Sequence, residues 1–176
     1  MPPKITVSKE TTYVTGPLRP DGSVDFLAAI NERCSQGVTP ENNAAVAFWQ
    51  AVGPKGIKAE VRQRYFALLG VPELLEKGEY LVSFSDFVPF YQEGAEELSK
   101  QFERAQEAPW SPSQFPTVAA LLEKNAKSLR VLAEGAKRPR YYSPLVSAAD
   151  GSLADAELAI GSPEIHEVTR QLAARG

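Results

Sequence analysis

The stretch "TPENNAAVAFWQAVGP", residues 39–54, constrains the fold of this chain more than any other part of it. From Ala44 to Val52 it is apolar nearly all the way round. A helix with no polar face must be covered on every side, so this one belongs at the centre of a domain with other elements packed around it. Its punctuation is readable. Thr39 is a good N-cap, Pro40 suits the first helical position where its missing N–H costs nothing, and Glu41 places a negative charge in the first turn. Gly53-Pro54 ends the helix sharply. Asn42 and Asn43 are left over. Poor helix formers at a helix start satisfy nearby backbone groups through their side-chain amides, or cross-link the central helix to the "GPLRPDG" loop.

The surrounding elements must be short. At 176 residues the chain has the length of one ordinary domain, and 14 prolines with 12 glycines imply a loop-rich fold. "TTYVT" (11–15) reads as a short extended segment, followed by a turn at Asp21-Gly22. Ser23 or Asp25 then caps a helix with Phe26, Leu27, Ile30 and Cys34 on its inner side. Residues 58–69 form a third helix with Val61, Tyr65, Leu68 and Leu69 inward. "GEYLVSF" (78–84) is the best strand in the chain, and Ser85 or Asp86 offers a cap after it. A fourth helix reaches residue 107, with Ala95, Leu98, Phe102 and Ala105 inward. The fifth spans 117–136 as one long element, its stripe of Val118, Leu122, Leu129, Leu132 and Ala136 interrupted by Asn125, a place where a polar residue can fix a register. A last helix begins near Ser162 with Ile165, Val168 and Leu172 on one side. The expected class is mainly α: an irregular multi-helix domain with one or two short β-strands and proline-rich connectors. Residues 1–10 read as a flexible lead-in and 11–147 as a single domain. Residues 148–176 read as a linker and the start of a truncated helical region, because a helix of barely three turns is marginal alone.

Most chemistries are disfavoured by what the chain contains. Net charge is −3 with both signs interspersed, so no basic footprint draws nucleic acid. No run approaches the ~20 apolar residues of a membrane span, and the chain as written reads as soluble, unexported and cytoplasmic. The one cysteine, Cys34, reads as a small buried hydrophobe and the one histidine, His166, as a surface residue on the last helix. That leaves little for a Ser-His-Asp or Cys-His arrangement, or for zinc. "DGSVD" (21–25) lacks the rest of a calcium loop and reads as a turn and a cap. No catalytic residue, metal site or cofactor is assigned.

The strongest binding candidate is "KRPRYYSPL". It places Lys137, Arg138 and Arg140 beside Tyr141 and Tyr142, donors next to stacking faces, as a phosphate, carboxylate or nucleic-acid site would use. The competing reading is structural: the cations complement the C-terminal end of the long helix and the tyrosines pack onto the core. Three functions are weighed. A non-enzymatic interaction or scaffold module is favoured. A carboxylate-based enzyme on a polar substrate would use Glu41 or Asp25 near Asn42, Asn43 and the "KRPRYY" group. An anion- or small-molecule-binding module would centre on Arg138, Arg140 and Tyr141.

Taken together, "TYVTGPL", "DGSVDFLAAINE", "GVTPENNAAVAFWQAVGP" and "KRPRYYSPLVS" resemble a family of uncharacterised bacterial proteins, over roughly residues 8–147. Longer members carry an apolar membrane segment before the "TYVTGPL" equivalent and a helical region after the segment matching "HEVTRQLAARG". The resemblance therefore implies a module of a larger helical protein associated with the cell envelope. Its partner would be protein: a second copy, or that helical region. It implies no catalytic residues.

Overall fold

The computed structural model describes residues 13–89, 92–148 and 169–174. It is mainly α, as expected, with seven α-helices in the order α1 (Phe26–Cys34), α2 (Ala44–Val52), α3 (Ala59–Leu68), α4 (Phe84–Phe87), α5 (Ala95–Arg104), α6 (Pro116–Lys124) and α7 (Ala126–Gly135). A 3-10 turn at Pro54–Gly56 follows α2, and residues 169–174 are helical. Strand pairing among the described residues takes the form of isolated bridges, including Leu18 with Val24 and Asn43 with Arg140.

The apolar helix α2 is the centre of the larger core. Ala45, Val46, Trp49, Ala51 and Val52 pack with Val61, Tyr65, Phe66 and Leu69 from and just after α3, and with Leu129 and Leu132 of α7. Trp49 meets Tyr65 edge-on at 5.8 Å, and Tyr65 meets Phe66 in the same way at 5.7 Å, the geometry that ring quadrupoles favour. Helices α2 and α7 approach so closely that a methyl group on Gly135 would overlap the Ala47 methyl. Gly135 is there because nothing larger fits. A second core joins Phe84, Val88, Ala95, Phe102, Ala105, Val118 and Leu121, with Ala174 of the last helix among them. Phe84 and Phe102 stack nearly parallel at 4.7 Å.

Several local expectations are corrected. Helix α2 starts at Ala44, not beside Pro40, because Asn43 is its N-cap and accepts from the Ala45 N–H. Thr39 and Asn42 close a separate turn before it: the Thr39 N–H donates to Asn42 Oδ1 (2.8 Å), and Asn42 Nδ2 donates to the Gly37 carbonyl (3.0 Å). Asp25 caps α1 through the Ala28 N–H, but α1 buries Leu27 and Asn31, leaving Phe26 and Cys34 exposed. The inner face is turned because Asn31 has a backbone partner inside. In α3, Phe66 faces the core and Leu68 faces out. "GEYLVSF" is irregular chain running into α4, which Ser83 caps through the Asp86 N–H. The long helix is two helices, broken at Asn125 (φ −94°, ψ 3°). On the last helix Gln171 and Ala174 are buried while Leu172 is 39% exposed. Ile165, His166 and Val168 lie outside the described residues, as do the lead-in and most of the 148–176 segment.

Candidate functional site

The residues nominated from sequence converge, although about a hundred positions separate the two groups. The Arg140 N–H donates to the Asn42 carbonyl (3.1 Å) and the Ala44 N–H donates to the Arg140 carbonyl (2.8 Å). Beside this pairing, Asn43 Nδ2 donates to the Tyr142 carbonyl (2.9 Å), and its Oδ1 accepts from the Tyr142 N–H (2.9 Å) and the Ala45 N–H (3.1 Å). Arg138 Nη1 donates to the carbonyls of Pro40 and Asn43, each at 2.9 Å. The result is a seam joining the start of α2 to the chain leaving α7. A primary amide carries one acceptor and one donor group in the arrangement a peptide presents, so Asn43 can satisfy both backbone groups of one residue at once. At 1% exposure it does so out of water, where an unmade bond is costly.

The members of the seam divide by position. Tyr142 is buried and its hydroxyl donates to Asn31 Oδ1 (3.3 Å). Tyr141 is 67% exposed, and Arg140 and Glu41 also face outward. The Thr39 hydroxyl, its own backbone N–H and the Arg138 charge together hold the Glu41 carboxyl below its ordinary range. Of the other acids considered, Asp21 accepts from the Ser23 N–H and hydroxyl, and Asp25 caps α1.

Two further asparagines repeat the Asn43 chemistry, and sequence reasoning did not assign them this role. Asn31 Nδ2 donates to the Leu145 carbonyl (2.8 Å) and its Oδ1 accepts from the Leu145 N–H (2.9 Å). Asn125 Nδ2 donates to the Val82 carbonyl (2.8 Å) and its Oδ1 accepts from the Val82 N–H (2.9 Å). Each thus grips both backbone groups of a single residue in irregular chain. The signal that could have found them is an asparagine at a core-facing helix position: Asn31 stands four residues after buried Leu27, and Asn125 interrupts an apolar stripe. A hydroxyl relay also runs through the polar interior. Trp49 Nε1–H donates to the Tyr65 hydroxyl (2.8 Å), which shares a hydrogen bond with the Ser143 hydroxyl (2.8 Å). Burial pushes the Tyr65 phenol up to about 12, against the opposing pull of those two bonds.

A wide open concavity lies elsewhere among the described residues. A groove of about 680 Å³ runs between the α5–α6 connector, the outer side of α6 and α7, and the last helix. Pro109, Trp110, Ala119, Leu122, Ala126 and Ala174 supply its apolar lining, with Gln106, Glu107 and Glu123 as its polar members. None of the seven residues nominated from sequence lines it. No protein-family model matches this chain, and neither the curated proteins nor the solved structures include a similar one.

Proposed function

We propose that this chain is a non-enzymatic protein-interaction module, a scaffold domain of a larger helical protein. The observation that carries this reading is the groove along Trp110. Its alanines and prolines leave room for another backbone to approach, its one large aromatic is an anchor of the kind that dominates interfaces, and its polar residues sit among apolar ones as a rim would. The seam supports the same reading from the other side. Asn43 and Arg138, which an anion-binding or carboxylate-based mechanism would need facing a ligand, are bonded to the chain's own backbone.

No helix among the described residues is long and apolar enough to cross a membrane. The resemblance to bacterial proteins with a membrane segment and a following helical region supports placing such a module at the cell envelope, with a protein partner. The test is photo-crosslinking from a benzoylphenylalanine at Ala119, inside the groove, compared with one at exposed Arg64 on α3. The expected outcome is a discrete protein adduct from position 119 that disappears when Leu122 is changed to Glu. Equal crosslinking from both positions would overturn the reading.

A further inference from the structure

The last helix is held by side-chain contacts to several separate parts of the chain. Gln171 is fully buried, its Oε1 accepts from Asn125 Nδ2 (2.7 Å), and its Nε2 donates to the Val82 carbonyl (2.9 Å). One residue earlier, the Arg170 guanidinium lies over the Phe102 ring at 4.7 Å. Three residues later, Ala174 is buried in the second core and its carbonyl accepts from Trp110 Nε1–H (2.7 Å). The seat therefore has an amide, an aromatic face and an indole donor, matched to Arg-Gln-x-x-Ala on one helical turn. Covalent connection does not dictate this contact. Residues 149–168 separate the helix from the rest of the described chain, and twenty residues can span up to roughly 65 Å.

We propose that the cleft formed by Val82, Phe102, Trp110 and Asn125 is a docking site that reads a short helix bearing Arg-Gln-x-x-Ala, and that the segment filling it here exchanges with the same segment of a second copy of this chain. Glutamine is the residue the site selects. A glutamate would keep an acceptor for Asn125 but set a carboxylate oxygen against the Val82 carbonyl, losing a donor and adding repulsion. Leu172, on the outward side, is not read. Exchange of an identical element between copies is a low-cost route to association, because every contact is already made within one molecule. The neighbouring groove shares Trp110 and Ala174 with this cleft, while the contacts of Gln171 with Asn125 and Val82 lie outside it.

The experiment uses the full chain and a synthetic peptide of residues 165–176. In Gln171→Glu protein, hydrogen exchange at the Val82 amide should accelerate about tenfold to a hundredfold, the range for loosening a buried polar contact. The Tyr142 amide, held by Asn43, should stay protected. Adding the wild-type peptide should return Val82 to within about twofold of its original rate, while a peptide carrying the same Gln→Glu change should not. A second measurement needs no variant: wild-type chain mixed with peptide spin-labelled at the Leu172 position should lose the Trp110 indole N–H resonance and keep that of Trp49. Unchanged Val82 exchange in the variant, equal action of the two peptides, or no broadening of Trp110 at excess peptide would each overturn the proposal.

Discussion

Asn43 and Asn125 do the same chemical job in different surroundings. Each is 1% exposed, and each satisfies the N–H and C=O of one residue in irregular chain. Asn43 also caps α2, and the backbone pairing of Asn42–Ala44 with Arg140 and the two Arg138 bonds surround it. All of its partners lie in elements of the larger core. Asn125 instead gives its remaining amide hydrogen to Gln171, which arrives from a separate segment. A joint made wholly within a close-packed core opens only when the domain unfolds, whereas one completed by a segment outside that core can open locally. The same amide thus makes a permanent seam in one place and a releasable contact in the other.

The largest effect should come from Asn43→Ala. It strands the Tyr142 N–H, the Tyr142 carbonyl and the Ala45 N–H away from water, and should cost about 3–5 kcal/mol. Urea denaturation should show every probe shifting together. A smaller cost than that of Asn125→Ala would break the comparison.

Alkaline pH should strike the same region. The Tyr65 phenol titrates near 10 in the unfolded chain and near 12 in the fold, so the folded state holds its proton longer. That contribution is fully present below pH 10 and is lost as pH rises from about 10 to 12, up to about 3 kcal/mol. Denaturation midpoints measured across that window should fall, and Tyr65→Phe should flatten the slope.

Asn125→Ala should cost less, about 2–3 kcal/mol, and act unevenly. Protection should vanish first around Val82 and residues 169–174, ahead of α2 and α7. A single cooperative loss would erase the distinction between the two joints. Gly135→Ala tests the rigidity of the first region directly. Helix propensity favours alanine by under about 1 kcal/mol, but overlap with Ala47 should reverse the sign to a net loss of about 1–2 kcal/mol in thermal melts. At the bottom of the scale, Lys127→Ala removes only the exposed pair with Glu79 near the second joint, and the denaturation midpoint should stay unchanged within measurement error.

Helices were legible in the sequence wherever their information is local. The burial of α2, the inward face of α5 and the stop at Gly53-Pro54 follow from periodicity and caps that a short window contains. "GEYLVSF" was misread for the opposite reason. Its aromatic and β-branched residues suit extended chain, but a strand requires another strand, and Val82 is instead bonded by a side chain from the α6–α7 junction. The start of α2 was misplaced because Thr39 and Asn43 are both competent caps. Choosing between them depends on Tyr142, about a hundred residues away. The two halves of the candidate site were found because donors and aromatics stand out, and the carboxylate-enzyme reading placed them near one another. That the meeting would be a seam was not visible, since Arg138 reaches backbone carbonyls, which carry no sequence signature. The groove escaped notice because alanine and proline look like filler until three elements are set side by side.

The asparagine grips also bear on which substitutions the chain can accumulate. Of Leu145 and Val82, Asn31 and Asn125 bond the main chain alone, and those two side chains are just half-buried. Under saturation mutagenesis these two positions should accept a wide spread of residues and reject proline, which has no N–H to give. The asparagines should be intolerant even of their nearest relatives: aspartate lacks the donor, and glutamine is one methylene too long for the same reach. Variation in this chain would then concentrate on the segments being held, and invariance on the amides that hold them.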